Sequence, residues 1–386
     1  MAGPQPAPER PVTAGTRWPA WLATVALWLS SCSPPSPQPV ATPQTPSSLP
    51  QGPERRAPAL QPHLSRLPWR AYVPNSLSDT VTVIDVRTRR VLVTFPVGRT
   101  PQHVVPSHDL RTLWVNNNAG DSLTPIDPNT GRPGRPVPVE DPYNLYFTPD
   151  GRFGLVVAER LRRLDFRDPR TWRKVDSLPV PCRGPNHLDF SADGTYFLVS
   201  CEFDGRLLKV DTASRRVVGV LQLGAMPQDV RLAPNGRHFL VADMLRDGVH
   251  VVDGEALRRT AFVVTGTGAH GVYPAPDGSA VYVVNRGWHT VAGGRRGPGS
   301  VTVLDGATLK VRARWAVPGG GSPDMGNFTP DGGELWLGGR YDDEVYAFNV
   351  STGALAARIP VGRGPHGLTV WPQPGRLSLG HTGNMR

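Results

Sequence analysis

Two stretches near the ends of the chain are almost the same, VGRTPQH at 97–103 and VGRGPHG at 361–367. They belong to one repeated unit, because Pro101 and Pro365 stand six periods of about 44 residues apart. The seven units contain the strand sequences AYVPN, LWVNN, GLVVA, FLVSC, FLVAD, VYVVN and LWLGG. Each unit holds four short apolar stretches broken by turn residues, which predicts an all-β, seven-bladed β-propeller.

Turn signals recur at two places in the unit. The first follows the inner strand and predicts a two-residue hairpin turn, at Asp150-Gly151, Asp193-Gly194, Asn235-Gly236, Asp277-Gly278 and Asp331-Gly332. The second is an acidic or amide residue after the third strand, at Asp85, Asp127, Asp211, Asp253, Asp305 and Asn349. Such side chains accept backbone N–H groups and start turns, so we assign this second set to structure and not to catalysis.

The matching ends of the repeat also predict how the ring closes. The last unit has an inner strand left over at about 366–371, and the first unit has only three strands, over about 71–97. Strands from both termini would therefore share one blade, which removes the exposed sheet edges of an open ring.

The repeat resembles a known family. AYVPN followed by VTVIDVRTRRVLVTFPVG is similar to the YVTN β-propeller repeat, whose family includes the YncE-like proteins, and the likeness covers about 70–386. The resemblance implies the fold and an exported protein, but no particular reaction, because propellers carry many unrelated activities. The third unit, AERLRRLDF, lacks the repeat's asparagine, and the sixth inserts RGWHTVAGGRRGPGS.

The first 68 residues have the composition of an export signal and a tether. An apolar run, WLATVALWL, ends shortly before Cys32 in LSSC, which resembles the lipobox of bacterial lipoproteins. Eleven of the residues 33–68 are proline, which favours an extended segment. We therefore expect a lipoprotein signal peptide at 1–31, a disordered tether at 32–68 and the propeller at 69–386. The alternative is an ordinary signal peptide with a chance cysteine.

The formal charge is +10, with 42 basic and 32 acidic residues. Such a balance favours anionic partners without naming one. The arginines are scattered over all blades, which weakens a reading as a binder of anionic polymers such as nucleic acid.

Candidate site residues follow the V-G-x-x-P step, where the chain returns to the centre of the ring. Polar groups at this position would converge at the channel mouth on one face, and they include Gln102, His103, Asn144, His187, Asp229, His270, Asp324 and His366. Histidine and carboxylate groups suit a divalent transition metal, for which His103, His187, His270 and His366 are the candidate ligands. The alternative is a solvated polar mouth without a bound metal.

Three function classes remain open at this stage. The first is a lipid-anchored module at the cell envelope, monomeric, that binds a protein or a small ligand on the funnel face. The second is a metal-dependent hydrolase or oxidoreductase that uses the histidines. The third is a binder of anionic polymers. The first is preferred because no motif assigns a base, a nucleophile and an acceptor to one site, and CxxCH, GxSxG, HExxH and GxxxxGK[ST] are all absent from the sequence.

Three further features carry expectations. Cys182 and Cys201 flank the Asp193-Gly194 hairpin, and a disulfide between them suits an exported protein, with two free thiols or two metal-binding thiolates as alternatives. The insertion with Trp288 and His289 is either a recognition loop or a tolerated surface loop. The last segment, LSLGHTGNMR, would pair on the seam or fold over a face, and His381 could then approach the mouth.

Overall fold

The computed structural model of the protein describes residues 59–289 and 294–386. The predicted signal peptide, the lipobox cysteine Cys32 and the tether up to residue 58 lie outside the described residues. Within the described ranges there is no helix long and apolar enough to cross a membrane.

Seven antiparallel sheets form the seven blades, which confirms the predicted all-β propeller. In the described residues the strands of successive blades are β1 (Arg70–Asn75), β2 (Thr80–Asp85), β3 (Arg90–Pro96); β4 (Pro101–Pro106), β5 (Leu113–Asn117), β6 (Ser122–Asp127), β7 (Arg132–Pro133), β8 (Val137–Pro138); β9 (Asn144–Phe147), β10 (Gly154–Ala158), β11 (Arg163–Arg167), β12 (Lys174–Pro179); β13 (Pro185–Phe190), β14 (Tyr196–Cys201), β15 (Arg206–Asp211), β16 (Arg216–Gln222); β17 (Pro227–Leu232), β18 (His238–Asp243), β19 (Gly248–Asp253), β20 (Arg258–Val264); β21 (Ala269–Pro274), β22 (Ala280–Asn285), β23 (Trp288–His289), β24 (Gly294–Arg295), β25 (Ser300–Asp305), β26 (Val311–Ala316); β27 (Pro323–Phe328), β28 (Glu334–Gly339), β29 (Glu344–Asn349), β30 (Leu355–Pro360); and, returning to blade 1, β31 (Thr369–Trp371).

Blade 1 is closed by both ends of the described chain, as the repeat predicts. Its strand order is β3-β2-β1-β31, and β31 is antiparallel to β1 with Arg70 opposite Trp371. The ring therefore has no free inner edge at blade 1.

The hairpins after the inner strands differ from the predicted two-residue turns. In blade 3, Thr148 N–H donates to Phe153 O and Gly151 N–H donates to Thr148 O, so four residues form the loop. Only the glycine has a positive φ, of 68°. The aspartate instead holds the turn with its side chain, because Asp150 Oδ1 accepts from Arg152 N–H at 3.0 Å.

The acidic residue after the third strand caps a turn, as predicted. Asp305 Oδ1 accepts from Thr308 N–H at 2.7 Å and from Ala307 N–H at 3.0 Å. These hydrogen bonds, the Thr308 backbone bond foremost, lower the pKa of Asp305 to about 2.

The asparagine of the repeat joins the second and third strands of three blades. Asn117 Nδ2 donates to Thr124 Oγ1 at 2.9 Å, and Asn75 and Asn285 make the same bond to a threonine. In blade 3 this position is Ala158, where no such bond can form.

Hydrophobic side chains fill the spaces between neighbouring blades. Blades 3 and 4 pack through Phe166, Phe190 and Phe197, in a cluster that also contains Cys182 and Cys201. The two sulfurs form a disulfide with Cα atoms 6.0 Å apart. The bridge ties the segment before β13 to the end of β14.

Ordered packing begins before residue 69. Leu64 is only 1% exposed and packs with Tyr72 and Trp371 in the core of blade 1. Residues 59–68, which the proline content assigns to the tether, thus already contact the propeller through Leu64 and Leu67.

The last residues form a structure that the sequence did not predict. We call residues 376–386 the C-terminal arm. It folds back on itself, with Ser378 bridging to Met385, and it runs along the inner strand of blade 3, where Gly380 bridges to Tyr146. Phe147 N–H donates to Leu379 O at 3.0 Å and His381 N–H donates to Leu145 O at 2.9 Å. The arm therefore lies inside the central channel and not on the seam or over a face.

Candidate functional site

The seven inner strands begin at the same end of the channel, which we call the mouth end. All eight predicted ligand-binding residues lie there and are buried, with Gln102 the most exposed at 8%. An open, solvated mouth therefore does not describe these groups. They form a buried polar layer near the start of the inner strands.

Three histidines meet on one side of this layer, and we call them the first triad: His103, His187 and His381. One ring nitrogen from each lies within 4.8 Å of the others. Their ring centroids are 4.7 to 5.7 Å apart. The Nε2 atoms of all three are buried and make no hydrogen bond to described residues.

The other nitrogen of each ring is held by a neighbour. His103 Nδ1 lies 3.0 Å from Tyr143 O, so it carries the proton and leaves a lone pair on Nε2. Asn144 Nδ2 donates to His187 Nδ1 at 2.8 Å and lies 3.4 Å from His381 Nδ1. The amide orientation is set by Leu145 N–H, which donates to Asn144 Oδ1 at 2.9 Å.

Burial keeps these rings neutral. Desolvation lowers the pKa of His103 to about 4. Desolvation, followed by the charge of a neighbouring group, holds the pKa of His187 and of His381 well below the ordinary value. A neutral imidazole is the form that binds a metal ion.

The second triad is His270, Asp324 and His366. It adjoins the first triad, because the rings of His366 and His103 have their centroids 4.8 Å apart. His270 Nδ1 lies 2.8 Å from Asp324 Oδ1, and His366 Nε2 lies 3.4 Å from Asp324 Oδ2. Arg286 Nη2 donates to Asp324 Oδ1 at 2.7 Å and lies 2.8 Å from His270 Nε2. Burial alone would raise the pKa of Asp324, but Arg286 and the histidines hold it well below the ordinary value. The second triad is therefore already in contact with a cation, the guanidinium of Arg286.

A ring of side chains lies above the triads, at the residue that follows the second strand of each blade. We call it the mouth ring: Ser76, Asn118, Glu159, Glu202, Met244, Arg286 and Arg340. In blades 1, 2, 4, 5, 6 and 7 the same backbone hydrogen bond marks the position, from this residue's N–H to a carbonyl in the preceding loop. The ring is polarised, because two carboxyls occupy blades 3 and 4 while two guanidiniums occupy blades 6 and 7.

Burial raises the pKa of both carboxyls on the acidic side of the mouth ring. Desolvation, with the charges of Glu202 and Asp141, raises the pKa of Glu159 to about 8. Desolvation also raises the pKa of Glu202, whose Oε2 accepts from Asn186 Nδ2 at 2.7 Å. Glu159 makes no side-chain hydrogen bond to a described residue.

The two arginines on the basic side of the mouth ring differ in their partners. Arg286 is engaged with Asp324, as described above. Arg340 Nη1 donates to Ser76 Oγ at 3.0 Å and to Gly364 O at 2.9 Å. Within the described ranges no carboxylate pairs with Arg340, and burial lowers its pKa.

A cavity of about 490 Å³ lies at the opposite end of the channel, beside the C-terminal arm. Its polar groups largely satisfy one another, because Asp189 Oδ1 accepts from Asn384 Nδ2 at 2.7 Å and lies 3.4 Å from Arg386 Nη2. None of the sequence-predicted ligand residues lines it. The convergence of buried, unpaired groups is at the mouth end, so we place the candidate site there.

The insertion of blade 6 forms the short β23–β24 hairpin, in which Trp288 pairs with Arg295. Residues 290–293, between these two strands, lie outside the described residues. Arg296 Nη2 donates to Met244 O at 2.8 Å, so the insertion reaches a residue of the mouth ring.

Sequence reasoning missed several groups of this site. Glu159, Glu202, Arg286 and Arg340 lie one residue after the second strand of their units, so an alignment of the repeats at that position would have revealed their opposed charges. The place of His381 depends on the path of the C-terminal arm, for which the repeat offers no template.

Comparisons with known proteins agree with this architecture. The family model described as YNCE-like beta-propeller matches residues 65–374. No curated protein matches the chain.

Solved structures with the same fold are distant in sequence. Hydrazine synthase from Kuenenia stuttgartiensis is 21% identical, with a TM-score of 0.59, over 68% of this chain and 87% of that chain. A functionally unknown protein from Desulfotomaculum acetoxidans is 14% identical, with a TM-score of 0.63, over 79% of this chain and 99% of that chain. Dihydro-heme d1 dehydrogenase NirN, in complex with DHE, is 19% identical, with a TM-score of 0.58, over 83% of each chain. These likenesses show a shared fold.

Proposed function

This chain belongs to the YncE-like β-propeller family, and from that premise we propose that it is a binding module at the cell envelope. Its propeller takes up a small polar ligand at the mouth ring, a ligand that carries both a cationic and an anionic group. A lipid on Cys32 holds it at a membrane. The observation that carries the proposal is that carboxyl groups and guanidinium groups occupy separate parts of the mouth ring.

The acidic and basic groups of the mouth ring lie on opposite sides of the channel. In a ring of seven, blade 3 lies opposite blades 6 and 7, so Glu159 faces Arg286 and Arg340. A ligand that spans the channel would present its cation to the acidic side and its anion to the basic side. Arg340 is the stronger candidate for the anion, because Arg286 is already paired with Asp324.

Glu159 offers a measurable sign of such a ligand. In the absence of a partner its carboxyl stays protonated up to a pKa of about 8. A cation bound beside it favours the carboxylate, so binding near pH 7 should release a proton. Arg340 has no carboxylate partner among the described residues. An anionic group of a bound ligand would offset the free energy that burial of this guanidinium costs.

Titration calorimetry on the purified chain tests the ligand class. A panel of free amino acids and dipeptides would be compared with amines and carboxylates of the same size, and with a single-stranded oligonucleotide for the anionic-polymer alternative. We expect zwitterions to bind most tightly, with an observed enthalpy that depends on the ionisation enthalpy of the buffer.

Matched variants locate the site. Glu159→Gln and Arg340→Gln should each weaken zwitterion binding at least about tenfold, since each removes one charged contact. Glu255→Gln and Arg258→Gln make the same chemical changes at exposed positions outside the mouth and should leave binding unchanged. The proposed ligand class would be refuted if the amines and carboxylates bound as tightly as the zwitterions. It would also be refuted if all four variants bound the zwitterions equally.

Export and lipidation form the second part of the proposal. The order of charged, apolar and cysteine-containing segments supports it, and so does the disulfide, because disulfides persist in oxidising compartments. Cell fractionation of the parent and of Cys32→Ala tests it. The parent should sediment with membranes and the variant should be soluble; equal membrane association of the two would contradict a lipid anchor.

A further inference from the structure

We infer that His103, His187 and His381 form a binding site for one divalent transition metal ion inside the channel, with the C-terminal arm supplying the third ligand. The site lies below the mouth ring. It does not depend on the ligand proposed there.

The geometry is close to that of a three-histidine site. Bonds of 2.0–2.1 Å from a metal to imidazole nitrogens place those nitrogens about 3.3 Å from one another. The ring nitrogens of the first triad lie within 4.8 Å. Small rotations of the three side chains, with movements on the order of 1 Å, would bring them into coordination distance.

The unpaired Nε2 atoms point to a ligand that the protein itself does not provide. Buried polar atoms are nearly always paired, and three adjacent ones without a hydrogen bond are unusual. The chain also makes room for the first of these rings. At Gly367 a Cβ atom would collide with Cδ2 of His103, so only glycine accommodates the imidazole in its present place.

Outer partners already orient part of the site. Tyr143 O fixes the proton of His103 on Nδ1, which is the tautomer that coordinates through Nε2. The Asn144 amide now donates to His187 Nδ1. Coordination through Nε2 of His187 would move that ring's proton to Nδ1. The Asn144 amide would then have to turn so that its oxygen accepts, and it would give up its present hydrogen bond from Leu145 N–H.

Asp229 places a carboxylate at the edge of the triad, and Arg231 Nε lies 3.4 Å from its Oδ2. Asp229 Oδ1 lies 3.5 Å from His381 Nε2 and is not hydrogen-bonded, whereas Oδ2 accepts from Val272 N–H at 2.9 Å. A free carboxylate oxygen next to three neutral imidazoles can serve as a fourth ligand. Three nitrogens and one oxygen suit zinc, cobalt, nickel or copper.

The geometry divides the four histidines that the sequence singles out. His270 and His366 belong to the second triad, where the guanidinium of Arg286 lies within hydrogen-bond distance of both His270 and Asp324. A metal cation there would have to displace a buried arginine. The first triad has no cation in contact with its rings among the described residues, so it is the preferred site.

The C-terminal arm positions His381 through its backbone. Leu379 and His381 hydrogen-bond to blade 3, and Asn384 is anchored on Asp189. The third proposed ligand, His381, therefore belongs to a segment outside the seven blades. Metal binding should accordingly stabilise the contact between the arm and the channel.

Metal analysis of the full chain, purified with a tag other than polyhistidine and without chelator, tests the site. We expect about one equivalent of metal per chain by mass spectrometry of the elements. After chelation, Zn²⁺ should bind again at one equivalent and raise the thermal midpoint, and Co²⁺ should give a visible spectrum. Less than about a tenth of an equivalent, together with no uptake of Zn²⁺ or Co²⁺, would overturn the proposal.

Variants separate the first triad from its neighbours. His381→Ala and His103→Ala should each lower Zn²⁺ affinity at least about 100-fold. His366→Ala, in the second triad, and His238→Ala, outside the channel, should retain it. Circular dichroism checks the fold, and His381→Gln provides a side chain of similar size if the alanine variant unfolds. Retained affinity in both His381 variants, or loss only in His366→Ala, would assign the metal elsewhere and overturn the proposal.

Discussion

Replacing Glu159 by glutamine should change how the protein's stability depends on pH. In the unfolded chain the carboxyl has its ordinary pKa of 4.5, whereas in the folded protein burial raises that pKa to about 8. Below pH 4.5 both states are protonated and the side chain adds no ionisation penalty. As pH rises toward 8 the unfolded state gives up its proton first, so folding stability falls across this interval.

The size of the effect follows from the same two values. Each pKa unit corresponds to about 1.4 kcal/mol, so the interval from 4.5 to about 8 sets a ceiling of about 5 kcal/mol. Glu159 is only partly buried and lies near Arg160, and water around the carboxylate reduces the penalty. We therefore expect about 1–2 kcal/mol.

Urea unfolding at several pH values between 5 and 9 measures this difference. Glu159→Gln should gain stability relative to the parent as pH rises, with the largest gain above pH 8. Glu255→Gln, at an exposed position, controls for the chemical change. A difference between Glu159→Gln and the parent that stays constant over the whole range would refute the assignment of a raised pKa to this carboxyl.

Two further predictions concern the scaffold. Replacing Cys182 and Cys201 together by alanine should cost about 3 kcal/mol, because the bridge spans 19 residues; a calorimetric midpoint lower by about 5 °C would show it, and an unchanged midpoint would argue against the bridge. Asn117→Ala should cost about 1–3 kcal/mol, because the buried Thr124 hydroxyl loses its partner. Asn129→Ala, in an exposed turn, is the control for the second change, and equal urea midpoints for the two asparagine variants would contradict the role of Asn117.

The sequence predicts the fold well because the strand pattern of one blade recurs in seven units. Most repeats carry a similar strand spacing and a capping aspartate after the third strand, so one irregular unit, such as the one with Ala158, does not obscure the pattern. The channel histidines follow from the same register, since the position after the V-G-x-x-P step is shared by all units.

The grouping of the site residues was not predictable in the same way. His103 and His270 occupy related positions in their repeats, yet the first lies with His381 and the second with Arg286. Which neighbours they meet depends on packing across the channel, and on an arm that follows the last repeat. The length of the hairpin loops was also not predictable from the sequence, because a glycine with positive φ is compatible with both a two-residue and a four-residue loop.

The closure of blade 1 has a consequence for the order of folding. Arg70 and Trp371 are neighbours in the sheet but roughly 300 residues apart in the chain, so their pairing carries the largest loop-closure entropy of the ring. Blade 1 therefore keeps an unpaired inner edge until nearly the whole chain has been synthesised, and the arm can enter the channel only as the ring closes. If the chain is exported in an unfolded state, these late steps follow translocation. A chain interrupted before β31 would leave an open sheet edge exposed to other chains.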